Sequence, residues 1–152
     1  MNRLLRSTFT IVWGLWFGGL VMLFIVVQSL FQTFATDHSV AGTAASAIFR
    51  EFNSFRLIVA AAALLIAAAG WLQDRTGGKL LIFVLFALAA LAAVASSAIL
   101  TPKIEHLRIL GLTQSHEFAR LHGISMGIYL IETVLLFLAG VIFPNVGGGS
   151  KL

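Results

Sequence analysis

Five residues with polar or soft side chains follow one another along an apolar stretch near the C-terminus: His122, Ser125, Met126, Tyr129 and Glu132. At about 100° per residue they lie within about 120° of one helix face. Such groups can bind a solute or an ion, or carry a proton. The spacing therefore predicts a polar site, with His122, Met126 and Glu132 as the candidate metal ligands.

Glu132 is the central residue of the apolar stretch 121–143. An ionised carboxylate at the middle of a bilayer costs a few kcal/mol even on the mildest scales. We therefore expect Glu132 to be protonated or hydrogen-bonded, and its burial gives a functional role as much weight as a structural one.

Polar residues of the other apolar stretches predict a vestibule that opens to the outside and narrows to Glu132. From the rise per residue, Gln28, Ser96 and Ser97 lie nearer to Glu132 than Arg56, which we place more than about 10 Å higher. The further candidate ligand-binding residues are Gln28, Arg50, Asn53, Arg56, Ser97, Thr101 and Arg108.

Structural roles are the alternatives for these side chains. A single membrane histidine is more often an interhelical hydrogen-bond partner than a metal ligand, and Met126 alone is more often packing than a copper ligand. Arginines near a membrane end, such as Arg50 and Arg108, most often meet lipid phosphates.

The composition indicates which elements position these residues. Of the 152 residues, 59% are hydrophobic and 11% are charged, and the mean hydropathy is +0.99. Ordinary globular domains carry about 25% charged residues, so a soluble enzyme and a disordered chain are excluded. The chain has no cysteine, and its net charge of +4 comes from scattered residues, which excludes disulfides and indicates no nucleic-acid partner.

Four stretches are long enough to cross about 30 Å of hydrocarbon. The sequence predicts an all-α integral membrane four-helix bundle in one domain, residues 1–146, followed by a linker or tag remnant at 147–152. Pro102 and Pro144 are expected to end the third and fourth spans. The polar segments 40–54 and 103–112 are interpreted as short interfacial helices in the outer connections or as outward extensions of spans. The predicted spans are about 8–34, 55–72, 80–101 and 121–143.

The first helix usually dominates orientation. The Lys and Arg residues of the loops are divided almost evenly between the two sides, but Arg3 and Arg6 precede the first helix, which predicts cytoplasmic termini. The expected location is a bacterial inner membrane. Both polar connections then face the outside.

Two patterns predict how the helices pack. Residues 51–56 resemble residues 117–122, which favours two tandem helical hairpins and places Arg56 and His122 at equivalent heights at the outer mouth. The pairs Gly14/Gly18 and Gly123/Gly127 predict close packing within the bundle, with a homodimer face as the alternative. Trp13 and Trp16 are expected to be interfacial anchors.

Two segments resemble a known family. Thr101-Pro102 with Leu107-Arg108, and Leu121-His122 with Ser125, are similar to the signature of small four-span proteins related to eukaryotic transmembrane protein 205, a family with a domain of unknown function. The resemblance implies a four-span bundle, and the function usually suggested for that family is transport or export. Tyr129 stands where members often have Asn. A fainter similarity, in Trp16-x-Gly18-Gly19 and Arg50-x-Phe52, to the membrane domain of copper-resistance D proteins implies copper handling, although the predicted site here is poor in sulfur.

Three functions follow as hypotheses. The leading one is a module that binds or transports a small solute, metal ion or proton, which as a thin bundle would need a homo-oligomer or a membrane partner. The second is a structural accessory subunit of a larger membrane complex. The third, a membrane enzyme acting on a lipid or quinone, is less favoured because no catalytic signature is present. The cofactor is left unknown.

Overall fold

The computed structural model describes residues 3–146, so the predicted linker or tag remnant at 147–152 lies outside the described residues. The described chain is helical and contains no strand. Its elements are α1 (Arg3–Thr33), α2 (His38–Gln73), α3 (Gly77–Ala95), a π-helical segment (Ser96–Leu100), α4 (Thr101–Ile109) and α5 (His116–Val146).

Four helices are long and apolar enough to cross a membrane: α1, α2, the continuous helix Gly77–Ile109, and α5. The prediction of an all-α, membrane-spanning four-helix bundle is confirmed. The start of α1 and the end of α5 lie on one side, where Arg6 donates a hydrogen bond to the Pro144 carbonyl at 3.3 Å. We call this side the terminus end, and the opposite side, which holds the turns 34–37 and 110–115, the distal end.

The two polar segments extend spanning helices at the distal end. Asp37 caps α2 by accepting hydrogen bonds from the backbone N–H groups of Ser39 and Val40, so residues 40–54 belong to one helix of 36 residues. Residues 101–109 form α4, which continues the third span. The structure therefore supports outward extension of the spanning helices rather than separate interfacial helices.

The expectation that Pro102 and Pro144 end their spans is wrong. Proline lacks an N–H, and its ring clashes with the carbonyl four residues earlier. Before Pro102 the helix widens into a π turn, in which the Thr101 N–H bonds to the Ser96 carbonyl, and the helix continues. Pro144 lies inside α5, two residues before the end at Val146, where a lost hydrogen bond affects only the final turn.

Small and aromatic side chains fill the centre of the bundle. Trp16, Phe86 and Leu136 have no exposed surface. Around them, the alanines of α2 and α3 let the helix backbones approach closely, as lipid-embedded helices require. The alanines of this central cluster are Ala60, Ala63 and Ala67 of α2, Ala89, Ala90 and Ala93 of α3, and Ala139 of α5.

The two glycine pairs do not pack within the bundle. A Cβ atom at Gly14, Gly18, Gly123 or Gly127 would meet nothing within 4 Å. The packing prediction for them is wrong because each pair lies on the outward face of its helix.

Gly140, in contrast, has no space for a side chain. A Cβ atom there would overlap the rigid indole of Trp13, which is held in place by a 2.8 Å hydrogen bond from its Nε1 to the Leu136 carbonyl.

Gly140→Ala is therefore expected to lower the free energy of unfolding by about 1–3 kcal/mol through overpacking. A denaturing-detergent titration followed by tryptophan fluorescence measures the change. Gly127→Ala, on the same helix but in open space, is the matched control and should leave stability unchanged or slightly higher, because alanine favours the helix over glycine. Equal losses in both variants would contradict the packing of Trp13 against Gly140.

Candidate functional site

An ion pair lies at the centre of the bundle. Arg56 Nη1 of α2 donates to Glu132 Oε2 of α5 at 3.2 Å, and both side chains have 0% exposed surface. An ion in a low-dielectric interior costs several kcal/mol unless it is paired and hydrogen-bonded. The pair therefore ties α2 and α5 together at one height.

The predicted separation of more than about 10 Å between Arg56 and Glu132 is wrong. That height assumed a span beginning at Phe55, whereas α2 begins at His38. Arg56 is 18 residues after His38 and 17 before Gln73. Glu132 is 16 residues after His116 and 14 before Val146. Both residues therefore lie midway along their helices.

Trp16 supplies the second hydrogen bond to the Glu132 carboxylate. Its indole Nε1 donates to Glu132 Oε1 at 2.8 Å, so each Glu132 oxygen accepts one hydrogen bond. Glu132 is hydrogen-bonded, as expected. The interpretation of Trp16 as an interfacial anchor is wrong, because its indole is fully buried and finds its N–H partner inside the bundle.

The rest of the Arg56 guanidinium contacts the third span and α5. Its Nη2 donates to the Ala93 carbonyl at 3.1 Å and to Ser97 Oγ at 2.8 Å. Its Cζ lies 4.4 Å from the centre of the Tyr129 ring, a cation–π contact. With Trp16 and Glu132, the guanidinium thus joins residues of all four spans.

A layer of neutral polar groups lies next to the ion pair. Its residues on α2 and α5 are nearer in sequence to the distal end than Arg56 and Glu132. Tyr129 donates its hydroxyl to Asn53 Oδ1 at 2.9 Å, and Asn53 Nδ2 donates to Thr101 Oγ1 at 3.3 Å. Thr101 in turn donates to the Ser96 carbonyl at 3.0 Å, across the π turn. This Asn53–Tyr129–Thr101 layer links α2, α5 and the third span.

Two polar atoms of this region are buried without a hydrogen-bond partner in the described part of the chain: Arg56 Nε and Ser96 Oγ. Such atoms are rare in folded proteins, and they commonly mark a water or ligand position or a functional group. The polar network is therefore incomplete within the described residues.

The structure brings together Asn53, Arg56, Ser97, Thr101, Tyr129 and Glu132 of the predicted site residues. Sequence reasoning missed Trp16 and Ala93. The available signal for Trp16 was its position deep in the first span, where a buried indole needs an acceptor. No sequence signal marks the Ala93 carbonyl.

Other predicted residues lie elsewhere. Gln28, His122 and Met126 are exposed on their helices, and Ser125 is half-buried. Among residues 3–146, no three His, Asp or Glu side chains are grouped to hold a metal ion. The placement of His122 and Met126 gives no support to the metal prediction.

The internal similarity of residues 51–56 and 117–122 does not place Arg56 and His122 in equivalent positions. Arg56 is buried midway along α2, whereas His122 is exposed six residues after the start of α5. The equivalence of these two residues is wrong, because α2 extends much further beyond Arg56 on the distal side.

The remaining predicted arginines pair with nearby acids at the distal end. Arg50 meets Glu51 at 3.4 Å on an exposed face. Arg108 binds Glu105 through two nitrogens, at 2.8 and 2.6 Å, and Glu105 also accepts a hydrogen bond from Ser46. Arg108 therefore joins α4 to α2 rather than entering the central cluster.

The described residues show no open vestibule leading to the ion pair. Arg56, Ser96 and Glu132 have no exposed surface, and Asn53 on the distal side is only 8% exposed. The vestibule therefore stays a prediction.

The model of a family described as a domain of unknown function, DUF4149, matches residues 11–113. That segment is about two thirds of the chain. The chain belongs to the DUF4149 family. No curated protein and no solved structure matches it.

The DUF4149 match covers Trp16, Asn53, Arg56 and Ser97, whereas Tyr129 and Glu132 lie beyond it. The matched segment therefore contains the cation of the ion pair and not its carboxylate. The family description carries no activity, and the resemblances to transmembrane protein 205 and to copper-resistance D proteins stay predictions.

The ion pair makes a prediction about stability. Glu132→Leu leaves the buried Arg56 charge unpaired and is expected to cost about 3–5 kcal/mol of unfolding free energy. The double variant Arg56→Met/Glu132→Leu removes both charges and should recover most of that loss. Denaturing-detergent titrations of Glu132→Leu, Arg56→Met and the double variant measure the coupling energy between the two residues. Purely additive losses of unfolding free energy would contradict the ion pair.

Proposed function

We propose that this DUF4149 protein is a membrane-embedded module that binds or transports a small solute or ion, in which Glu132 carries a proton and Arg56 binds an anionic group. One observation carries the proposal. A fully buried Arg–Glu pair lies midway along two spanning helices, and intramembrane ionisable residues commonly mark solute or proton pathways.

Stability alone does not require this pair. Replacing a buried ion pair by well-packed apolar residues is often neutral or stabilising. Leucine and alanine already fill the neighbouring positions Leu136, Ala93 and Ala139. The presence of two charges at this depth therefore favours a functional role for the Arg56–Glu132 pair in addition to packing.

Charge balance indicates the class of solute. When Glu132 takes up a proton, the Arg56 charge loses its counter-charge in a low-dielectric interior, where an unpaired ion is costly. A small anion restores neutrality by replacing the carboxylate. Proton and anion uptake at this site are thus coupled.

The surroundings of the pair support a route from the distal end. The Asn53–Tyr129–Thr101 layer offers hydroxyl and amide groups before the pair is reached. Arg56 Nε and Ser96 Oγ are polar atoms ready for a further partner. The π-helical segment Ser96–Leu100 supplies a place where the third span can bend, and π turns are frequent at functional sites.

An oligomer remains part of the proposal. Four spans make a thin transporter, and the exposed pairs Gly14/Gly18 and Gly123/Gly127 leave open space at the outer surface. Small residues allow membrane helices to approach closely, so these faces suit a second copy or a partner subunit.

A structural accessory role is the second candidate. Its support is the closure of the cluster: the pair has no exposed surface, and its bonds reach all four spans. In that role the polar network holds the bundle in one shape for a larger membrane complex.

Ser96→Ala separates the two candidates. It removes a buried hydroxyl that has no hydrogen-bond partner within residues 3–146, so thermal stability should be unchanged or slightly higher. The transport role predicts at least about tenfold slower anion-dependent proton uptake, a loss equal to one charge-assisted hydrogen bond. The assay uses liposomes containing the purified full chain and the trapped pH dye pyranine, with inward gradients of chloride, nitrate or inorganic phosphate.

Ser54→Ala, an exposed serine of α2, is the matched control and should behave as the unmodified protein. Glu132→Gln serves as a second variant and should abolish coupled uptake if it stays folded. Proton uptake that is the same with and without protein, or unchanged in Ser96→Ala and in folded Glu132→Gln, would contradict transport and favour the accessory role.

We further propose a bacterial inner membrane location with both termini cytoplasmic, from the arginines before the first span. Because the chain has no cysteine, single cysteines report each side. In spheroplasts, a membrane-impermeant maleimide is expected to label Thr113→Cys directly and Thr76→Cys only after lysis; both positions are exposed. The reverse pattern would invert the proposed orientation.

A further inference from the structure

A cavity of about 220 Å³ lies at the terminus end, between α1, α2, α3 and α5. It is separate from the central ion pair. One part of its lining is apolar and includes Phe9, Ile82 and Phe143. The polar part consists of Arg6, Asp74, Thr76 and Lys79. The cavity is thus amphipathic.

Counted over residues 3–146, the polar lining carries one excess positive charge. Lys79 is 8% exposed and forms an ion pair with Asp74. This hydrogen bond from Lys79 holds the pKa of Asp74, which lies in the turn after α2, below its ordinary value, so the carboxylate is ionised at neutral pH. Two cations, Arg6 and Lys79, therefore face one anion.

Arg6 is the cation whose charge is not balanced. Within residues 3–146, its recorded polar contact is a donated hydrogen bond to the Pro144 carbonyl, and no carboxylate forms an ion pair with it. Its Cζ lies 5.7 Å from the centre of the Phe143 ring. The guanidinium therefore retains donors for an anionic partner.

A second cavity, of about 190 Å³, shares Arg6, Phe9 and Phe143 with the first and is also lined by Trp13 and Gly140. Arg6 thus stands between two small cavities with largely apolar walls. This end of the bundle is where lipid headgroups lie when the spans cross a bilayer, and basic pockets between membrane helices bind anionic headgroups.

We propose that the cavity lined by Arg6, Thr76 and Lys79 binds an anionic phospholipid, with its phosphodiester against these three side chains and its apolar part against Phe9 and Phe143. A phosphodiester carries one negative charge, which matches the single excess positive charge of the lining. The apolar wall distinguishes a lipid from free phosphate.

Native mass spectrometry of the purified full chain tests the site. The protein is titrated with phosphatidylglycerol in detergent micelles, and the midpoint for retention of one lipid is measured. Arg6→Gln is expected to shift the midpoint about fivefold to higher lipid, the effect of one basic residue near a headgroup. Arg6→Lys keeps the charge and should stay near the original midpoint.

Arg75→Gln is the matched control. Arg75 is an exposed cation of the same end that lies over Trp71 and outside the cavity, and its removal should leave the midpoint unchanged. Equal shifts for Arg6→Gln and Arg75→Gln would show general surface charge and overturn the site. Displacement of the lipid by inorganic phosphate, or equal retention of phosphatidylcholine, would overturn it too. None of these results bears on proton uptake at Glu132.

Discussion

Two opposite charges that must stay together in an apolar interior constrain the whole bundle. Arg56 and Glu132 have no exposed surface, so their donors and acceptors depend on partners from the protein, and all but Arg56 Nε find one within the described residues. Trp16 supplies one to the carboxylate, and the third span supplies the Ala93 carbonyl and the Ser97 hydroxyl to the guanidinium. The relative heights of the four helices follow from these short bonds, since sliding any span by one turn would break its bond to the pair.

The irregular third span serves the same constraint. The Ala93 carbonyl lies where α3 gives way to the π turn, and it accepts a hydrogen bond from Arg56 Nη2 in addition to one from the Ser96 N–H. Pro102 follows this turn and lacks an N–H, so the helix accommodates it by widening upstream. A residue expected to end the span instead changes its pitch beside the ion pair, and the adjacent Ser96 hydroxyl has no hydrogen-bond partner in the described part of the chain.

Sequence reasoning predicted the four spans, and it found Glu132 because a lone acid stands out within a charge-free stretch. The same method misplaced Arg56. When spans are delimited by charges, a charged residue inside a span is necessarily read as its boundary. The predicted placement of Gln28 and His122 in the site was wrong for another reason. Periodicity shows which residues share a helix face, whereas the neighbouring helices decide whether that face is buried. Trp16 was misread because tryptophan prefers interfaces on average, whereas this indole follows its hydrogen-bond acceptor.

The closed state and a transport role are compatible because of the electrostatics. In the proposed transport role, a pair of opposite charges has no net charge that would draw in water, so the bundle is expected to stay closed while Glu132 is ionised. In the same proposal, opening costs the least free energy when a proton neutralises Glu132 and an anion pairs with Arg56 at the same time. Either change alone leaves an unpaired charge in a low-dielectric interior. The excess charge at Arg6 differs in kind. It lies at the membrane end, where a headgroup can balance it without any movement of the helices, so a lipid there would hold the bundle in place while the central pair changes partners.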